Sequence, residues 1–435
     1  MSVWVDRLLR DGRVLRGVLF EADDAGLVVG ERHADAPPPG AVALDFAVPG
    51  LGDAHSHAFH RALRGRTHES GSFWTWRSAM YRAAARLDPD LYREFATAVF
   101  REMALGGWTA VGEFHYVHHR PDGTPYPDHA MELALADAAE AAGIRLVLLD
   151  TCYLAGGIGE ALSPEQRRFG DGDAAGWLER WHALRETLAG RSPLVTLGAA
   201  IHSVRAVPRG DIRRISAELP RDVPLHIHLS EQPAENEASV RAYGLTPTEV
   251  LAEDGVLSDR LSVVHATHLT PRDIELLGAA RVHAVFCPTT EADLGDGIGP
   301  AAELVRAGVR LAVGSDQNAV VDALLELRGL EAGERLRSLS RGRLAPDLLW
   351  RIGADGGYGS LGLPAPARLG GPLDLVELDD RSLRTAGSEP LQVALTATAA
   401  DVRRTVVGGA AVEVDAAAVA LRLGEIVDGI FEEDA

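Results

Sequence analysis

Along most of the chain, short apolar runs alternate with stretches whose apolar residues recur every three to four positions. The runs cover 44–55, 109–116, 144–153, 194–203, 224–231, 261–268, 282–289 and 310–317. Their length and nearly unbroken apolar character predict strands buried on both faces. The stretches between them, such as 90–100 and 301–307, carry helical spacing. Eight such strand–helix units predict a parallel (β/α)8 barrel of the TIM type, with an open doubly wound sheet as the alternative. The two ends read differently. Residues 14–20, 26–30, 372–378 and 402–407 look like short strands, separated by turn residues such as Pro37-Pro38-Pro39-Gly40 and Gly408-Gly409. The expected class is therefore α/β, with a barrel over 49–364 and a small β-sandwich domain assembled from both termini, 1–48 and 365–435.

In a barrel of this kind the chemistry lies where strands end. His55 and His57, His115, His202, His228, His265 with His268, and Asp316 all fall at or near the ends of predicted strands. In His55-Ser56-His57 the two histidines point to the same side of an extended strand, so both rings can converge on one point. Two neutral imidazoles in an apolar setting are a start for a zinc site. Alone, such a pair is more often an ordinary core or surface feature, but the later strand ends supply further ligands. In His226-Ile227-His228 the second histidine is nearer the strand end and Glu231 follows it, whereas His226 reads as a barrel-layer residue. Gly314-Ser315-Asp316 closes the last strand with a carboxylate that can ligate a metal or accept a proton. Cys287 reads as a packed small residue, His118-His119 with Asp122-Gly123 as a surface loop, and the Trp74/Trp76 pair as core. Gly295-Asp296-Gly297 is either an ordinary turn or one that offers backbone N–H groups to an anion.

Composition narrows the chemistry. The 435 residues contain no lysine, so all 43 basic residues are arginine. That excludes a Schiff-base lysine, a phosphate-loop lysine and a two-metal centre bridged by a modified lysine, and it favours one metal. A net charge of -20 argues against nucleic acid or an anionic membrane as partner. Cys152 and Cys287 lie inside apolar runs, which speaks against a disulfide framework and for a reducing compartment. The first residues lack a cationic-then-apolar signal and no run is long enough to cross a bilayer. A cytoplasmic protein, expected to be a homodimer, is the resulting expectation.

Pro49-Gly50-Leu51-x-Asp53-x-His55-x-His57, with His228, His265 and Gly314-Ser315-Asp316, resembles the amidohydrolase superfamily. The finer pattern is similar to its formimidoylglutamate deiminase family. That pattern includes Ser72-Phe73-Trp74-Thr75-Trp76-Arg77, Glu113-Phe114-His115-Tyr116, His202-Ser203-Val204-Arg205, Val264-His265-Ala266-Thr267-His268 and Thr290-Glu291-Ala292-Asp293-Leu294-Gly295-Asp296-Gly297. The resemblance implies one Zn2+ per chain held by His55, His57, His228 and Asp316. It implies His265 and Glu231, with Asp316, as proton-transfer residues, and His60, Arg77, Tyr116, His202 and Arg205 as substrate contacts. The implied reaction is hydrolytic deimination of a small anionic substrate, N-formimidoyl-L-glutamate, to N-formyl-L-glutamate and ammonia. Zinc, which lowers the pKa of a bound water to about 7, suits that hydrolysis, and arginine forks suit two carboxylates. Two departures touch the site: His60 stands where many relatives have glutamine, and Gln317-Asn318 replaces a common Ser-His. A deaminase of another amidine or guanidine acid, or of an aminated heterocycle, is the alternative, followed by a catalytically silent scaffold.

Overall fold

A computed structural model describes residues 1–67 and 73–432, with the side chains of 73–75 outside the described set. Eight strands close into a barrel: β5 (Leu51–Ser56), β6 (Trp108–His115), β7 (Arg145–Cys152), β8 (Val195–Ser203), β9 (Leu225–Leu229), β10 (Leu261–His265), β11 (His283–Phe286) and β12 (Arg310–Val313). They follow one another around the barrel in chain order and all neighbours pair in parallel. The predicted eight-unit barrel is therefore the observed one.

The first apolar run divides into two strands. Residues Val42–Pro49 form a strand of the terminal sheet, and β5 begins only at Leu51. Gly50 and Gly52 make the switch possible: a Cβ on Gly50 would lie 2.5 Å from Thr109 Oγ1, and one on Gly52 would lie 2.9 Å from the Gly357 backbone. The terminal sheet has seven strands. From the start of the chain come β1 (Ser2–Arg10), β2 (Arg13–Ala22), β3 (Val28–His33) and β4 (Val42–Pro49). From its end come β13 (Leu375–Leu378), β14 (Val402–Val407) and β15 (Ala410–Ala411). They form one continuous hydrogen-bonded sheet, ordered β15-β14-β13-β4-β1-β2-β3, around a core of its own that includes Val3, Val5, Phe20, Leu44, Leu375 and Val406. Residues Ala416–Phe431, inside the segment expected to be β-rich, are a helix whose Val419, Leu423, Ile426 and Ile430 join the barrel's core instead.

Helices α1 (Phe73–Arg86), α2 (Pro89–Leu105), α3 (Ala130–Ala142) and α4 (Ala174–Leu188) cover the first strands. In α2, Asp88 caps the N-terminus by accepting from Leu91 N, and Pro89 occupies the first turn. Tyr92, Phe95, Ala96, Val99, Phe100 and Met103 repeat at three- and four-residue spacing and are all buried. Among the described residues no helix is long and apolar enough to cross a membrane.

The barrel's thinnest seam decides where the site forms. Strands β12 and β5 share one ladder pair, Val313 with Asp53, extended by a bridge between Ser56 and Asp316. Gly314 lets them approach, since a Cβ there would sit 2.6 Å from the His55 carbonyl oxygen. The fully buried Asp53 carboxylate completes the seam, accepting from Ser315 N at 3.0 Å and Ser315 Oγ at 2.5 Å. Burial pushes its pKa up to about 7, against the pull of those donors.

Candidate metal centre and active site

The seam brings three ring nitrogens and one carboxylate together. His55 Nε2 and His57 Nε2 each lie 3.5 Å from Asp316 Oδ1, and His228 Nε2 lies 3.1 Å from His55 Nε2. The other ring nitrogens settle the tautomers of two histidines. His57 Nδ1 donates to the Phe114 carbonyl and His228 Nδ1 to the His202 carbonyl, both at 2.9 Å, so each Nε2 presents a lone pair to the shared point. Burial holds all three rings well below the ordinary histidine pKa, so they are neutral. Lone pairs and a carboxylate oxygen that face one another without an intervening proton suit a divalent cation, and the group His55–His57–Asp316 is compact enough to hold one.

Around this cluster lies a cavity of about 60 Å3 lined by His57, His60, Arg77, Tyr116, His202, Arg205, His228, Glu231, His265 and Asp316. Ten of the eleven residues singled out in the sequence thus share one wall, and His55 lies fully buried behind it. Beside Arg77, Arg205 and Glu231 a larger cavity of about 600 Å3 adjoins. His265 Nε2 stands 4.0 Å from Glu231 and its Nδ1 stands 3.5 Å from Glu291. Burial pushes the His265 pKa down, but the Glu231, Glu291 and Asp316 carboxylates outweigh it and hold the ring at about 10. Arg205 is likewise pushed down by burial, but Glu235, Tyr153, Glu231 and Tyr81 together outweigh it and raise it, so its charge is secure. The backbone is strained at this rim: Ser230, His265, Ala266, Asp316 and Asn318 all have positive φ.

Several residues fall elsewhere than expected. His115 turns away from the cavity, stacks on Tyr92 of α2 and lies 3.5 Å from Glu132 of α3. His118 and His119 are buried rather than on a surface loop, because a set of charges around Arg180 of α4 holds them there. Two others fall as expected: His226 donates to the Ser360 carbonyl at 2.8 Å as a layer residue, and Cys287 packs with Ala54, Val264, Val285 and Ala312. Asp296 is buried and accepts from the Gln232 side chain, while its own backbone carbonyl accepts from His268. Trp76 lines the cavity; the Trp74 side chain lies outside the described set. The sequence reading missed Tyr81, Tyr153, Phe169 and Glu291. Tyr81 and Phe169 sit on helical segments that no strand-end rule reaches, whereas Tyr153, the last residue of the run 144–153, and Glu291, two residues past the run 282–289, were within reach of that rule.

The amidohydrolase family profile matches residues 46–347, from the strand before the first histidine pair to beyond Asp316. The chain belongs to the amidohydrolase family. Across 89% of its length it is 39% identical to formimidoylglutamate deiminase of Pseudomonas aeruginosa, of which it covers 88%. It is 26% identical, over 98% of its length and 97% of the relative, to the 5-methylthioadenosine/S-adenosylhomocysteine deaminase of Syntrophobacter fumaroxidans. Among solved structures, an amidohydrolase from Brucella melitensis superposes with a TM-score of 0.91 at 29% identity, covering 99% of this chain and 100% of that one. This amidohydrolase is therefore a barrel hydrolase of the deaminase type, with a site whose donors could hold a metal.

Proposed function

We propose that this amidohydrolase hydrolyses N-formimidoyl-L-glutamate to N-formyl-L-glutamate and ammonia, with one zinc held by His55, His57, His228 and Asp316. The observation that carries the reading is the meeting, in one cavity wall, of His57, His228 and Asp316 of that donor set with two arginines, Arg77 and Arg205, in a chain of strongly negative net charge. A pair of forks against that background suits a substrate with two carboxylates better than a neutral ring. The 39% identity to a formimidoylglutamate deiminase supports the same substrate.

When bound, zinc supplies Lewis acidity and a water that loses its proton near neutral pH. The remaining work falls to side chains. Arg77 and Arg205 anchor the carboxylates, and Tyr116, hydrogen-bonded to His60 at 2.9 Å, and His202 border the formimidoyl end. Water adds to the carbon of HN=CH–NH–R, Glu231 takes up one of its protons and passes it to the terminal nitrogen, and the remaining hydroxyl proton follows by the same carboxylate as the carbonyl forms and that nitrogen leaves as ammonia. The charged His265 ring stabilises negative charge on the oxygen as it develops. Buried apolar and aromatic neighbours such as Tyr153 and Phe169 keep bulk water from the reacting carbon.

The test is product analysis of purified protein with N-formimidoyl-L-glutamate, a guanidino acid and 5-methylthioadenosine side by side. Ammonia with N-formylglutamate, and far lower turnover of the nucleoside, is the expected result. Formamide with glutamate, or preference for the nucleoside, overturns it. The adjoining 600 Å3 cavity, together with the nucleoside deaminase among its relatives, is the reason to keep the nucleoside in that comparison.

A further inference from the structure

The residue after the metal-site aspartate makes contacts that the mechanism above leaves unused. Gln317 is buried, at 4% exposure, and its side chain spans two elements that cover the barrel mouth. Its Oε1 accepts from the Trp76 indole N–H at 2.9 Å, and its Nε2 donates to Asp293 Oδ2 at 2.6 Å. The amide orientation is forced, since an indole N–H can only donate and a carboxylate can only accept. An amide carries a donor and an acceptor on separate atoms of one planar group, and of the two amides glutamine has the longer reach. The main chain is held as well, with Gln317 N donating to Thr290 Oγ1 at 3.3 Å.

Trp76 belongs to the face of α1 that meets the cavity, together with Arg77, Met80 and Tyr81. Its ring packs edge-on against His60 at 5.3 Å between centroids, and Arg77 Nε donates to Tyr81 Oη at 2.6 Å. The two departures noted in the sequence, His60 and Gln317, therefore converge on one side chain, the first on the Trp76 ring and the second on its N–H.

We propose that Gln317 is a specificity-determining positioning residue: by tying Trp76 to Asp293 it fixes α1 against the metal-bearing strand end and so sets where Arg77 meets a substrate carboxylate. The role assigned to Arg77 rests on the function proposed above; the docking of α1 by Gln317 does not. The amide has no part in the chemical step, so its loss falls on substrate affinity and on the order of α1, with metal content unchanged.

The experiment compares Gln317→Leu, Trp76→Phe and their double variant with the zinc-loaded wild type. Each single variant is expected to raise KM for N-formimidoyl-L-glutamate about three- to tenfold, the worth of one net hydrogen bond, with kcat within about twofold. The double variant should be no worse than the poorer single one, because both remove the same bond. Gln317→Glu should be as damaging, since it sets a second carboxylate against Asp293, and Gln317→Glu with Asp293→Asn should recover most of the KM by reversing the donor and acceptor. Amide hydrogen exchange over residues 76–86 should speed up in Gln317→Leu while the β7 and β8 amides hold. Effects that multiply in the double variant, no recovery in the charge-swapped pair, or unaltered exchange in α1 would each overturn the proposal. A wild type that turns over another substrate would defeat only the proposed function, since the exchange measurement needs no substrate.

Discussion

In the proposed function Glu231 moves the proton and Arg205 holds a substrate carboxylate, and each can be removed without touching a proposed metal ligand. Glu231 faces the charged His265 ring at 4.0 Å and lines the cavity, the place from which a carboxylate can pass a proton between water and a departing nitrogen. Glu231→Gln keeps the shape and loses the proton, so turnover should fall about a hundredfold to ten-thousandfold with metal content intact; unchanged turnover would move that role to Asp316. Arg205→Ala should cost roughly 2–5 kcal/mol in kcat/KM for a glutamate-based substrate, because a desolvated anion loses its counter-charge. A neutral diamide of that substrate should be poor for the wild type and nearly indifferent to Arg205→Ala. Equal damage to both substrates would make Arg205 structural, through Glu235, whose buried carboxyl stands at about 6 beside it. The converging histidines were legible in the sequence because strand alternation puts residues two apart on one side. His115 was not, since its ring faces Glu132 and Tyr92, partners on helices whose packing no local pattern encodes.

Between elements, a buried set of charges ties the barrel strand β7 and the loops beside it to two helices. Arg180 of α4 pairs with Asp150 of β7 at 2.7 Å, Asp171 at 2.8 Å and Glu132 of α3 at 3.1 Å. His118 donates through Nε2 to the Thr151 carbonyl at 2.9 Å while its Nδ1 faces Glu132 at 2.8 Å, so both nitrogens carry protons. Burial and Arg180 lower the His118 pKa, but Asp150 and Glu132 outweigh them and raise it above 6.5. A raised histidine contributes stability that is complete below its unfolded value and fades as pH climbs through its folded one. Glu132 has the opposite sign: burial raises it, but His115, His118 and Arg180 hold it well below 4.5. Its contribution is present above that value and is lost as pH falls through the folded one. His118→Gln should therefore destabilise the protein more at pH 6 than at pH 9, read from denaturation midpoints; equal losses at both would mean that His118 is neutral. The sequence showed His118-His119 beside Asp122-Gly123, a loop-like polar cluster, and only assembly of α3, α4 and β7 reveals it as buried. The first strand was misread for a related reason: 44–55 is one apolar run, and only close approach at Gly50 and Gly52 divides it between two sheets.

For the whole molecule, the four candidate ligands lie on and just after β5, on β9 and in the turn after β12, so an ion there would join parts of the barrel distant in sequence. It would do so across the seam where β12 and β5 share a single ladder pair. The eight units and the terminal sheet were legible because periodicity and turn residues report local structure. The strength of that seam was not, since it depends on the Asp53 and Ser315 side chains meeting across 262 residues. Without the ion, the histidines keep their backbone hydrogen bonds but lose the tie that would join the three imidazoles and the carboxylate to one another, and opening there should precede opening elsewhere. A ligand present at about a thousand times its Kd stabilises by about 4 kcal/mol, which for a chain of this length lowers Tm by roughly 5 °C on removal. Chelation should therefore lower Tm by that order and speed amide exchange first in β5 and β12, with one equivalent of zinc restoring both. His55→Ala should show the low Tm from the start and fail to respond to zinc. An apo protein as stable as the loaded one, or exchange rising evenly around the barrel, would mean that the seam is held by Asp53 and its neighbours alone, and that the ion serves the reaction and not the fold.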